Sequence, residues 1–304
     1  MKKLEGIIMS TILKIRRTWK RAPVKYLPSL LKENIDQKIE KTIHNGKSAL
    51  SITYKKNITL KHLTFLKRSI HFLCDAGLPF SNLYSFDHTK EGYKGIWSFC
   101  EGKIKTDWSV IEFEAFGDFL GKMHTISRLY KESDLGKTPL ILSLREKYEE
   151  LKEFIPASFD MIPKVLEQIE DTWPIFLTTG LVHTDLFPSN ILFKQNAISG
   201  ILQNHNLQID VLLYDLTNVI KLLYFTPCSD KDVKERAFIK AYTALTPLTT
   251  EEMHTLPVLT AAKFLHTALS LIEKHLCDST YSEIHLNGAA ISLIHAEKAL
   301  LLFQ

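Results

Sequence analysis

The stretch His183-Thr184-Asp185-Leu186-Phe187-Pro188-Ser189-Asn190 sets a histidine, a carboxylate and an amide in the pattern H-x-D-x-x-x-x-N. That spacing suits phosphoryl transfer to an alcohol. A carboxylate at Asp185 can orient an acceptor hydroxyl and take its proton. An amide five residues on, at Asn190, can turn its carbonyl oxygen to a magnesium ion on the phosphates. His183 can pack under the loop and hold its backbone by hydrogen bonds. The bland alternative is a polar turn between two strands. Other chemistries find no support: there is no G-x-x-x-x-G-K-[ST], no G-x-G-x-x-G and no H-E-x-x-H. The 12 histidines are scattered. No basic and aromatic stripe points to nucleic acid.

The elements around this loop can be read from periodicity and punctuation. Asn45-Gly46 is a hairpin-type turn, and Ala49 to Tyr54 reads as a strand. Leu63, Leu66, Ile70 and Leu73 fall on one face of a helix that ends before Gly77 and Pro79. Ile96 to Cys100 reads as a short strand leading into a connector at Glu101-Gly102. Val110 to Ile126 is helical, with Phe113, Phe116 and Met123 on one face. Its His124 is expected to be a packed, hydrogen-bonded residue. Leu144 to Glu153 reads as a solvated helix. Gly180 to Val182 enters the His183 loop; residues 190–193 and 198–202 form a hairpin. A helix runs from Leu216 to Phe225 with Asp215 as its natural N-cap. The remainder is helical, broken near Thr246-Pro247, with Thr249 and Glu252 spaced as a capping box.

Composition bounds the class. The 304 residues are 45% hydrophobic and 24% charged, which suits a globular chain of one large domain or two lobes. The net charge is +4, but the first 25 residues alone carry +7, which leaves −3 for the rest. A basic N-terminal extension therefore precedes a mildly acidic body. It can be a solvated tail, or a surface-seeking helix with Ile12, Ile15 and Trp19 on one side that makes peripheral contacts. No apolar run is long enough to span a membrane. The 4 cysteines, Cys74, Cys100, Cys228 and Cys277, are far apart and fit a reducing cytoplasm.

The text GLVHTDLFPSNILF, followed by AISGIL and DVLLYDL, resembles the bacterial homoserine kinases of the aminoglycoside phosphotransferase type. GKSALSITYKKNITLKHLTFL, AGLP, WSFCEG and FGDFLGKMH are similar to the same family in patches. The resemblance implies an α+β, bilobal, protein-kinase-like fold with a small β-rich N-lobe and a larger α-rich C-lobe. Residues 1–25 would be the extension, 26–100 the N-lobe and 101–304 the C-lobe, with the catalytic loop at 183–190. It also implies ATP and Mg²⁺ as cofactors, a small hydroxyl-bearing substrate such as homoserine, and a place in threonine biosynthesis. Adenine would rest against the connector at Ser98, Phe99 and Cys100. Lys38 would offer charge to the phosphates, Asn190 would hold the metal, Asp210 and Lys263 would serve the substrate, and Asp215 would brace the catalytic loop from below.

Several positions depart from that pattern. The family's metal-binding aspartate falls on Gln203, an uncharged ligand for a hard cation. The usual phosphate-clamping Lys or Arg of the third strand falls on Ser51, and residues 59–76 contain no Glu to pair with one. The phosphate-covering loop would lie near Asn34 to Thr42, a stretch without glycine. One of two family arginines near the substrate becomes Lys263 and the other Ala268. Two readings follow: an ATP-dependent phosphotransferase for homoserine or another small alcohol such as choline or a sugar, or a catalytically silent relative that binds a nucleotide or a partner.

Overall fold

In the computed structural model the described residues are 37–55, 58–105, 107–132, 136, 138–225, 230–277 and 282–301. The basic extension lies outside them, as do 34–36 of the expected phosphate loop. From residue 37 that stretch is a strand rather than a loop. Strand β1 (Gln37–His44) and strand β2 (Lys47–Lys55) form an antiparallel hairpin across Asn45-Gly46, both with positive φ. Such angles are what a two-residue hairpin turn asks for, and Asn and Gly tolerate them.

Helix α1 (Leu60–Asp75) follows, its N-terminus capped by the Thr59 hydroxyl, which accepts from the His62 N–H at 3.1 Å. Strands β3 (Leu83–Thr89) and β4 (Gly92–Ser98) complete an antiparallel sheet in the order β1-β2-β4-β3. The sequence placed the last of these strands at 96–100. It instead ends at Ser98, because Phe99 to Gly102 turn away as the connector. Gly102 has φ +150°, and a Cβ there would sit 2.4 Å from the Ser199 hydroxyl.

The rest is mainly helical. Helix α2 (Val110–Ser127) opens with a Ser109/Glu112 capping box. Helix α3 (Leu140–Leu151) buries Leu140, Leu144 and Leu151, so it is amphipathic rather than wholly solvated. Helix α4 (Ile162–Asp171), with Pro163 in its first turn, buries Ile162, Val165, Leu166 and Ile169. The catalytic region is built from β5 (Lys103–Ile104), β6 (Thr179–Val182), β7 (Ile191–Lys194), β8 (Ala197–Ile201) and β9 (Gln208–Val211). They pair as β5-β7-β8 and β6-β9.

Helices α5 (Leu213–Phe225), α6 (Lys231–Leu245), α7 (Thr250–Cys277) and α8 (Ser282–Leu300) close the larger lobe. The Thr249/Glu252 box is formed, at 2.9 and 3.1 Å. By length and composition α7 could cross a membrane, but most of it is buried within this fold. It is the core helix, carrying buried Leu256, Phe264, Leu265 and Leu269.

The two lobes are stitched where the segment after α1 meets β8. The Ile201 N–H donates to the Pro79 carbonyl at 2.8 Å, and the Ser81 N–H donates to the Ile201 carbonyl at 3.3 Å. Across the connector, the Ser199 hydroxyl donates to the Glu101 carbonyl at 2.6 Å. Gly200 lets Cys100 lie against β8, since a Cβ there would be 2.6 Å from that of Cys100.

Candidate active site

Asp185 and Asn190 are hydrogen-bonded to each other. The Asn190 Nδ2 donates to the Asp185 carbonyl at 2.8 Å and to its Oδ2 at 2.9 Å. The amide nitrogen therefore holds the carboxylate, which leaves the Asn190 Oδ1 as the amide's acceptor side. The H-x-D-x-x-x-x-N spacing achieves this by a turn at residues 185–190: the Phe187 N–H donates to the Asp185 carbonyl at 3.0 Å, and the Asn190 N–H to the Phe187 carbonyl at 2.8 Å.

The loop is held from below. Thr184 has φ +64°, a left-handed conformation that costs a β-branched residue free energy and needs support from its surroundings. Its N–H donates to Asp215 Oδ1 at 2.7 Å, and the His183 N–H donates to Asp215 Oδ2 at 2.9 Å. The Thr184 carbonyl accepts from Asn218 Nδ2 and from Lys263 Nζ, both at 2.9 Å. The His183 Nε2 lies 3.0 Å from the Leu202 carbonyl, tying the loop to the end of β8. Asp215 sits inside the first turn of α5, not at its N-cap, so its carboxylate serves the loop rather than the helix end.

Asp215 is fully buried against His124, whose Nε2 is 3.4 Å away and whose Nδ1 is 2.9 Å from the Tyr242 hydroxyl. Burial by itself pushes the Asp215 pKa up. The His124 hydrogen bond and charge, with the His183 N–H, outweigh it and hold the carboxyl below its ordinary range. His124 is thus the packed, bonded residue expected of it.

The remaining candidates fall in different places. Asp210 lies on β9, and its carboxylate accepts from the Leu140 N–H, Gln208 Nε2 and the Val211 N–H at 2.8, 2.9 and 2.8 Å. These contacts fasten the start of α3 to β9. Burial pushes its pKa up despite those bonds. Lys263 is buried with Nζ 3.0 Å from the Tyr214 hydroxyl and 4.4 Å from that ring's centroid. These contacts are internal and serve the loop at Thr184.

In the connector, the Ser98 N–H donates to the Asn82 carbonyl at 2.8 Å, and its own carbonyl accepts from the Ser81 hydroxyl at 2.7 Å. Both of its backbone groups are therefore engaged with the segment entering β3. Phe99 is partly exposed with Lys41 Nζ 5.7 Å from its ring centroid, and Cys100 is half-buried. Lys38 occupies the β1 position opposite Thr53.

Ser51, the expected clamp position, lies in β2 opposite Ile96 of β4 and is buried, as are Ala49 and Thr53 on the same side of the strand. It brings no charge of its own.

Gln203 follows directly on the Leu202 N–H that donates to the Asn190 carbonyl at 2.8 Å. It is left-handed, with φ 58° and ψ 37°. Among the described residues no group of three or more His, Cys, Asp or Glu gathers to hold a metal ion. The Asn190 and Gln203 amide oxygens fit the preference of magnesium for oxygen, but they bring no charge of their own. Sequence reasoning missed Asn206, whose Nδ2 lies 3.3 Å from Asp185 Oδ2, and Asn218 beneath the loop. No spacing rule marks either; only the return of the chain under the loop does.

A sequence profile described as the phosphotransferase enzyme family matches residues 55–248, more than half of the chain. The chain belongs to this family. Homoserine kinases resemble this phosphotransferase over long stretches. One from Rhodopseudomonas palustris is 29% identical over 248 residues, covering 75% of this chain and 74% of the relative. One from Phenylobacterium zucineum is 27% identical over 241 residues, covering 74% and 73%. Against one from Granulibacter bethesdensis the identity is 27%, and the match spans 57% of the relative's length and 59% of this chain.

The kinase-like fold is shared with solved structures. The amicoumacin kinase hAmiN, in complex with AMP-PNP, Ca2+ and Ami, superposes with a TM-score of 0.71 at 17% identity, covering 88% of this chain and 87% of that one. A microcompartment-associated aminopropanol kinase gives 0.65 at 11% identity, with 96% and 98% covered.

Proposed function

We propose that this phosphotransferase moves the γ-phosphate of ATP to the hydroxyl of a small molecule, with homoserine the first substrate to test. The observation that carries the reading is the Asp185–Asn190 pair, held at 2.9 Å in a loop braced by Asp215. As the substrate oxygen attacks the γ-phosphorus, its proton passes to the Asp185 carboxylate, and the bond to the β-phosphate oxygen breaks to release ADP. Positioning does most of the work in such a reaction, and the buried brace under Thr184 supplies it. Magnesium, when bound, would shield phosphate charge, and Asn190 Oδ1 and the Gln203 amide oxygen are the groups that would hold it. Adenine would lie along Phe99 and Cys100. A cytoplasmic setting fits the free thiols of Cys74, Cys100 and Cys277.

One observation favours a second reading. With Gln203 where a carboxylate is expected, a chain that binds nucleotide without turnover is the alternative. The experiment is ADP release from Mg-ATP, with homoserine, choline, amino alcohols and sugars offered in turn, for the purified protein and for Asp185→Ala. Turnover with one acceptor, abolished by the substitution in a folded variant, supports the transferase. Nucleotide binding with no acceptor turned over supports the silent reading.

A further inference from the structure

Asn204, His205 and Asn206 form a short 3-10 turn in which three consecutive polar side chains are only 3%, 5% and 3% exposed. Burying them costs free energy unless each finds a partner. The partners come from three different elements. Asn204 Nδ2 donates to the Ser81 carbonyl, at the approach to β3, at 2.9 Å. The His205 carbonyl lies 2.8 Å from His62 Nε2 on α1, while its ring meets Tyr54 of β2 edge-on at 6.2 Å. The other His62 nitrogen lies 2.8 Å from the Gly136 carbonyl, and Phe65 stacks on the ring, which fixes its direction.

The third residue points the other way. Asn206 Nδ2 donates to Asp185 Oδ2 at 3.3 Å, and its carbonyl accepts from the Thr184 hydroxyl at 3.3 Å. Asp185 Oδ2 is therefore held by two amides, Asn190 and Asn206. The turn reaches this place because Gln203 enters it left-handed, with φ 58°.

Kinase folds usually tie the small lobe to the active site through a lysine and glutamate pair. Here β2 carries Ser51 where that lysine is expected, and α1 holds no glutamate. The 204–206 turn offers another route, touching α1, β2 and the approach to β3 on one side and the acidic loop on the other. We propose that Asn206 is a positioning residue for the Asp185 carboxylate, and that α1 sets its place through the His62 contact with the His205 carbonyl. The carboxylate is then oriented only when the small lobe is docked on the turn.

The inference deepens the phosphotransferase reading, but its test has an arm free of turnover. Crystal structures of wild type, Asn206→Leu and His62→Leu, each checked by thermal melt, report the carboxylate directly. Asn206→Leu is expected to turn Asp185 from its wild-type rotamer or split it in two. His62→Leu is expected to shift the 204–206 turn and, with it, Asp185. Where Asn206→Leu fails to fold, the smaller Asn206→Ser takes its place. In assays, Asn206→Leu is expected to lower kcat by about tenfold, the scale of one lost hydrogen bond, with KM for ATP within twofold. Asp185 unmoved in the Asn206 variant overturns the proposal; a turn unmoved in His62→Leu overturns its N-lobe half. A wild-type protein that turns over no acceptor counts against the phosphotransferase reading, while the crystallographic arm still decides this one.

Discussion

Asp215→Asn probes the brace beneath the catalytic loop. The carboxylate accepts two backbone N–H groups, from Thr184 at 2.7 Å and His183 at 2.9 Å, and faces His124 at 3.4 Å. An asparagine side chain offers one oxygen. It can take one of those N–H groups, and its own NH2 then faces the other. One buried N–H left unsatisfied costs about 1–3 kcal/mol, and a bond weakened from charged to neutral costs about 1 kcal/mol more. Relief of the buried charge offsets part of this, so about 1–3 kcal/mol of destabilisation is expected. At roughly 2 °C per kcal/mol for a chain of this size, the melting temperature should fall by about 2–6 °C.

The pH dependence makes the test specific. The folded-state pKa of Asp215 is held below its unfolded value of about 3.9. Its stabilisation is thus complete above about pH 4 and is lost as pH falls through the folded value. Scanning calorimetry of both proteins from pH 7 to pH 3 should show a gap that narrows at the acid end. A gap that stays constant across that range, or a drop under about 1 °C at pH 7, refutes the reasoning.

Two further substitutions address the metal and the packing of the larger lobe. Gln203→Asp supplies the missing charge, and Asp tolerates the left-handed backbone. Calorimetric titration with nucleotide should show magnesium-dependent affinity rising by about one to two orders of magnitude, the scale of an ion–ion contact replacing an ion–dipole one; no change would mean that the Gln203 side chain does not face the phosphates. Gly117→Ala would place a Cβ 2.3 Å from the Phe238 carbonyl oxygen, forcing α2 and α6 apart. Overpacking of about 1–3 kcal/mol outweighs the gain in helix propensity, so the melting temperature should fall by several degrees; an unchanged or raised value counts against that close approach.

The catalytic loop, α1, α2 and the 191–201 hairpin are legible in the sequence because local rules govern them. Leu63, Leu66, Ile70 and Leu73 repeat with the helical period. Thr249 and Glu252 cap within one turn, and Asp185 and Asn190 meet across a loop only five residues long. Elements that draw their stability from distant partners are not legible in this way. Strand β9 forms because β6 lies beside it. Strand β1 forms because β2 folds back on it, although the stretch was expected to be a loop.

The same division runs through the site. Type and spacing alone determined that Asp185 and Asn190 could meet, and that Gln203 carries no charge. Contacts between residues at least 21 positions apart in the chain decided the rest. They turned Lys263 onto the Thr184 carbonyl, engaged Asp210 at the start of α3, and brought Asn206 to Asp185. A sequence sets which groups can bond locally. Long-range burial, which leaves a polar side chain no water to bond, selects the partner each one takes.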